Sequence, residues 1–95
     1  MSAWLVLRER FAVGEGVFVE MVVWRVASPV DGSAHDFKYR LALIRDETCV
    51  LRYDNEAGKG DHKHLGRREA PYRFVDLDTL QSDFWEDVAT CLREP

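Results

Sequence analysis

The chain has 95 residues, of which 46% are hydrophobic and 32% charged, with a net charge of −4 and a pI near 5.3. That is enough for one domain with a thin core, too apolar for a disordered chain, and too acidic overall to surround the molecule with a basic field for nucleic acid. The longest apolar run, "MVVWRV", is broken by Arg25, and the start "MSAWLVLRER" lacks the basic head and long apolar core of a secretion signal, so the expectation is a cytoplasmic protein with no membrane contact.

"WLVLRERF" alternates, with Leu5, Leu7 and Phe11 on one side and Arg8 and Arg10 on the other, which predicts a half-buried strand over about 4–11. "VGEG" is a turn, because glycine accepts the positive φ of a tight hairpin. A second strand over about 16–26 follows from its β-branched and aromatic content, and "ASPVDGSAH" reads as loop. "DFKYRLALI" sets Phe37, Tyr39, Leu41 and Leu43 against Lys38, Arg40 and Ala42; "RDET" turns, and "CVLRYD" returns, giving a hairpin of strands 37–44 and 48–54. Short strands are expected at about 61–65 and at 72–76, the latter opened by Pro71.

The period then changes. Leu77, Leu80, Phe84, Val88, Cys91 and Leu92 recur at three- and four-residue spacings, the stripe of an amphipathic helix over about 77–93. Asp76 or Asp78 is placed to cap it, Gln81 stands three residues after Asp78, and the terminal "REP" stops it. The expected fold is α+β: one domain over 1–95, an antiparallel meander of about five strands with the helix packed on one face. Trp4, Trp24 and Trp85 are core candidates, although Trp85 adjoins Phe84 and so belongs at the rim of the stripe or against a partner. Cys49 and Cys91 read as reduced, buried, small apolar side chains.

One segment stands apart. "RYDNEAGKGDHKHLGRR", Arg52–Arg68, carries five basic residues against three acids, two of the three histidines and three of the six glycines; from Asp76 to Glu94 six acids face a single arginine. The molecule therefore has a basic pole and an acidic helix. His62 and His64 are two apart, so on a strand their imidazoles share one face, with Asp61 and Lys63 on the other. Such a pair can ligate a metal, act as acid and base, or form a solvated strand surface. A metal site ordinarily needs three protein ligands; His35 is distant in sequence, and Asp54 or Asp61 would have to complete the set, so no metal or cofactor is expected. For acid–base chemistry on a phosphate, His62 and His64 are the candidate pair. Arg52 and Lys59 would hold the anion, and Gly58 and Gly60 would let backbone N–H groups approach it. "GKG" lacks the spacing of a P-loop. Asp54 either orients a histidine or ends the strand; Asn55 reads more readily as a turn residue than as a substrate contact. Lys63, Arg67 and Arg68, with Arg73 beside Tyr72 and Phe74, form a mixture that suits RNA or simply guards a strand edge.

The order "RYDN", "GKGDHKH", "PYRF" and a short "L…DF…DV" helix, within Leu51–Val88, resembles the TumE-like toxins of prokaryotic type II toxin–antitoxin pairs over about the last half of the chain. The resemblance implies a small cytoplasmic toxin neutralised by a helix-turn-helix antitoxin. Arg52, Tyr53, Asp54, Asn55, Gly58, Lys59, Gly60, Asp61, His62 and His64 occupy its recurring pattern. The resulting expectation is a metal-independent endoribonuclease acting through this segment, with catalytic His62, His64, Asp54 and Arg52. The alternative is a non-enzymatic protein that docks a partner protein or nucleic acid there. Oligomeric state, a dimer included, is left open.

Overall fold

The computed structural model describes residues 2–93. Over them run six strands and a helix: β1 (Ala3–Gly14), β2 (Val17–Val26), β3 (Phe37–Arg45), β4 (Thr48–Glu56), β5 (Gly60–Leu65), β6 (Arg68–Pro71) and α1 (Leu77–Arg93). The strands form one antiparallel sheet in chain order, a meander, so every neighbouring pair is joined by a local connection. The α+β class and the meander match the expectation, with six strands in place of about five.

The differences have local causes. The last strand lies at Arg68–Pro71, not 72–76. Gly66, at φ +59°, and Arg67 form a two-residue turn that brings β6 straight back onto β5, and glycine is what permits that φ. Tyr72 donates one more backbone bond to the Asp61 carbonyl, and the chain then leaves the sheet to reach the helix. Two irregularities also reverse facing. A bulge between Leu5 and Leu7 sets Leu5 opposite Trp24 and Leu7 opposite Val23, so these two leucines do not share a side. A second, at Val50 on β4, pairs Leu43 with Leu51 and Ile44 with Cys49, so Cys49 departs from the face of Leu51 and Tyr53. Cys49 is consequently exposed rather than buried, and no disulfide joins it to Cys91.

The core lies between one sheet face and the helix: Val19, Met21, Val23, Tyr39, Leu41, Leu43, Leu51 and Tyr53 meet Leu80, Phe84 and Val88. The helix buries this stripe because its apolar residues recur at helical spacing, and the sheet supplies every second residue. Asp76 is the cap: its Oδ1 accepts the Thr79 N–H at 2.7 Å, and that bond holds its carboxyl below the usual carboxylate range. Gln81 makes no capping box, since its amide donates to the Leu77 carbonyl. The helix runs to Arg93, and Glu94–Pro95 of the expected stop lie outside the described residues. Trp4 is 55% exposed and so is not core; Trp24 is half-buried; Trp85, 36% exposed, lies edge-on to Phe84 and Phe11.

Polar bonds surround the apolar centre. Asp61 accepts the hydroxyls of Ser33 (2.7 Å) and Tyr39 (2.6 Å) and contacts His35 Nε2 at 2.7 Å. His35 Nδ1 accepts the Phe37 N–H, so its proton sits on Nε2 and is donated to Asp61. Asn55, 1% exposed, accepts the Tyr39 N–H and donates to the Phe37 carbonyl. Together these bonds hold the 27–36 connection against the β4–β5 hairpin. The Gly58 N–H also donates to the Asp31 carbonyl, and a Cβ on Gly60 would meet the Gly32 carbonyl oxygen at 2.7 Å.

Candidate functional site on the open sheet face

Alternation puts Arg52 and Asp54 on the face of β4 opposite Tyr53, whose hydroxyl reaches Asp87 on the helix. The β4–β5 register pairs Arg52 with His64 and Asp54 with His62. These four side chains therefore meet on the face that the helix leaves open. The turn Ala57–Lys59 decides the register: a loop of three residues between Glu56 and Gly60, with Gly58 at φ +85° and Gly60 at +75°, aligns Asp54 with His62.

The rings of His62 and His64 lie 4.8 Å apart, edge to face. His62 and Asp54 are 4% and 6% exposed. His62 Nδ1 lies 2.9 Å from the Gly60 carbonyl, which offers only lone pairs, so Nδ1 carries hydrogen and donates it. Nε2 is then the working nitrogen, 2.8 Å from Asp54 Oδ1. Arg52 Nε holds the other carboxylate oxygen of Asp54 at 2.9 Å. Both contacts are close but badly angled for hydrogen bonds: Arg52 Nε, Asp54 Oδ1, His62 Nε2 and His64 Nε2 are all buried without a well-directed partner. Such groups are costly to fold, and they concentrate at sites that bind something. Glu69, across from His64 on β6, sits 3.9 Å from both Nε2 atoms. A recess of about 100 Å³, lined by Arg52, His64, Cys49 and Gly66, opens beside them.

The other residues singled out from the sequence lie elsewhere. Lys63 is on the helix face, 3.2 Å from Asp87 and over the Tyr53 ring; Asn55 is in the buried bonds described above. Lys59 is exposed at the hairpin tip, 3.9 Å from Glu56, and Gly58 and Gly60 pack against the 27–36 connection. Arg67 and Arg68 are exposed at the β5–β6 turn. Cations that the sequence pattern had not assigned to a site share the face of the cluster. One row of the register runs Arg10–Glu20–Ala42–Arg52–His64–Glu69, and the next runs Arg8–Val22–Arg40–Asp54–His62. Lys38 lies opposite Trp24, Arg8 stands 5.8 Å over the Trp24 ring, and Arg10 stands 4.8 Å over Phe18. Their signal was the polar half of each alternating strand. Glu69 carried no signal of its own until the Gly66–Arg67 turn placed β6.

Among the described residues no helix is long and apolar enough to cross a membrane. The family model described as Toxin TumE matches residues 4–92, extending the similarity through the N-terminal half. Neither a curated protein nor a solved structure matches the chain. With nearly its whole length matched, the chain belongs to the TumE toxin family.

Proposed function

We propose that this toxin acts in the cytoplasm on RNA, as a metal-independent endoribonuclease working on the open sheet face. The observation that carries the reading is the juxtaposition of Arg52, Asp54, His62 and His64 in two adjacent cross-strand rows with Arg8, Arg10 and Arg40. A basic sheet face interleaved with Trp24 and Phe18 suits a single strand, whose phosphates pair with cations and whose bases stack. In this reading His64, whose Nε2 stands 3.9 Å from Glu69, takes the proton from a ribose 2′-hydroxyl. The 2′-oxygen attacks the adjacent phosphorus, and His62, acting in its protonated form beside Asp54, delivers a proton from Nε2 to the departing 5′-oxygen. The products are a 2′,3′-cyclic phosphate and a 5′-hydroxyl end. Asp54 orients His62, while Arg52, with Arg40 in the adjoining row, neutralises phosphate charge.

A docking role without catalysis is the second reading. Its support is the burial of the His62–Asp54 pair, which also makes a rigid floor for a partner. RNA incubated with the protein in EDTA separates the two. Cleavage that persists in EDTA and is lost in His64→Ala supports the enzyme. Intact RNA bound in a stable complex supports the docking protein. Expression of the wild-type gene alone should arrest growth, and His62→Ala with His64→Ala should relieve the arrest; an equally toxic double mutant would remove the histidines from the mechanism.

Membership of a toxin family implies an antitoxin, here proposed to be of the helix-turn-helix type. Trp85, Phe11 and Leu92 are exposed apolar groups that offer anchors; charge on the acidic helix steers the encounter. The helix and the histidine rows are on opposite faces, so an antitoxin anchored at Trp85 has to pass a sheet edge to cover the histidines.

A further inference from the structure

We infer that Asp54, His62 and His64 form a binding site for a transition-metal ion of the Zn²⁺ class, and that this ion switches the open face off. The three residues each present one ligand atom, and all three atoms lie within 4.8 Å of one another. The pair His62 Nε2–Asp54 Oδ1 stands at 2.8 Å. Donors on a tetrahedral ion, with bonds of about 2.0–2.2 Å, stand about 3.3–3.6 Å apart, between these two values, so small side-chain adjustments suffice. Two imidazoles and one carboxylate are the donor types that Zn²⁺ and its neighbours take.

What surrounds the donors points the same way. The Gly60 carbonyl receives Nδ1–H of His62, which fixes the tautomer and aims the Nε2 lone pair at the cluster. Arg52 engages one oxygen of Asp54 and leaves the other turned inward. Outer partners of this kind orient metal ligands and raise their affinity. The three inward atoms, Asp54 Oδ1, His62 Nε2 and His64 Nε2, are buried without a well-directed hydrogen bond, and a cation among them would satisfy all three. Glu69, 49% exposed and 3.9 Å from both imidazoles, is placed to close the fourth position from the β6 edge. An ion held there occupies the two nitrogens needed for proton transfer. The inhibitory consequence rests on the ribonuclease reading; the binding does not.

The test uses untagged full-length protein stripped with EDTA and dialysed. Co²⁺ titration followed by visible absorption, with Zn²⁺ competition by calorimetry, reads the site directly. One ion per chain with intense tetrahedral d–d bands is expected. His64→Ala should weaken binding at least about tenfold, with an unchanged circular dichroism spectrum because His64 is only half-buried. Glu69→Gln should weaken it less, and Lys59→Ala not at all. Failure to bind one Co²⁺ or Zn²⁺ per chain, or equal binding by His64→Ala, overturns the site. RNA cleavage is then followed on the same samples. Cleavage that continues with Zn²⁺ bound at one per chain overturns the switch, whereas stoichiometric binding by a protein that never cleaves RNA overturns the ribonuclease reading and leaves the metal site standing.

Discussion

Asp61 is the most informative residue to perturb away from the histidines. Its side chain is 9% exposed and its two oxygens take up three neighbours: Ser33, His35 and Tyr39. Asp61→Ala strands the Tyr39 hydroxyl in a residue that is 3% exposed and the Nε2–H of His35 beneath the Phe74 ring. Each lost bond to a charged acceptor removes about 1.5–3 kcal/mol, but the Ser33 hydroxyl can turn elsewhere, so the sum is about 4 kcal/mol. For a chain of this size that lowers Tm by roughly 15–30 °C. Asp61→Asn should lose less than half as much. Its oxygen still accepts from Tyr39 and His35, and its amide can donate to Ser33 once that hydroxyl rotates. Tyr39→Phe, which removes one donor and keeps the ring, should lose about 1–2 kcal/mol. Urea and thermal unfolding of the three variants give the order directly. A loss below about 1 kcal/mol for Asp61→Ala, or Asn and Ala variants of equal stability, would show that these bonds do not hold the 27–36 connection, and the account of the hairpin's anchoring would fail.

Burial pushes the phenols of Tyr39, Tyr53 and Tyr72 upward, and bonds to Asp61, Asp87 and Asp83 add to the effect. An unfolded phenol ionises near pH 10, so this stability is complete below about pH 10 and is lost as pH rises beyond it. Tyrosinate absorbance near 295 nm should therefore appear only with unfolding; a smooth titration near pH 10 in a folded chain would contradict it. Gly60→Ala meets both a φ of +75° and the Gly32 carbonyl, whereas Gly66→Ala meets a φ of +59° in open space. Thermal unfolding should show the first to be worse by more than about 1 kcal/mol. Phe84→Ala should remove about 3–5 kcal/mol, measured by urea unfolding, because that helix side chain is fully buried, edge-on to the Tyr53 ring of the sheet. Trp85→Ala should weaken an antitoxin complex more than Lys59→Ala in a calorimetric titration; an effect from Lys59 alone would move the anchor to the hairpin.

Strict alternation made much of this visible beforehand. It put His62 and His64 on one face with Asp61 and Lys63 on the other, and the change of period at Leu77 marked the helix. Facing was lost wherever one residue broke the count, as at Val6, where Leu5 and Leu7 part company. The partnership of Asp54 with His62 depended on the length of the Ala57–Lys59 loop. "AGK" as a three-residue turn carries that register, and Gly58 and Gly60 serve not as an anion cradle but to pack against Gly32, a residue too distant in sequence to leave a local mark. The bond between His35 and Asp61 spans 26 residues and leaves no mark in any local pattern. Nor does alternation say which sheet face the helix will cover; the answer lay in the larger apolar volume on the side of Leu41, Leu43 and Leu51.

The sequential meander also fixes an order of assembly. Each strand finds its neighbour already made, so pairing can advance in step with synthesis, without waiting for distant chain. The seal on the apolar face comes last, from α1. Until that helix is made, Met21, Val23, Leu41, Leu43 and Leu51 have no cover, while the histidine rows on the reverse side are complete as soon as β5 pairs. During that interval the nascent chain carries its paired histidine face before it has a closed core. An antitoxin or chaperone that recognises the bare apolar side would meet the toxin before the toxin is free to act.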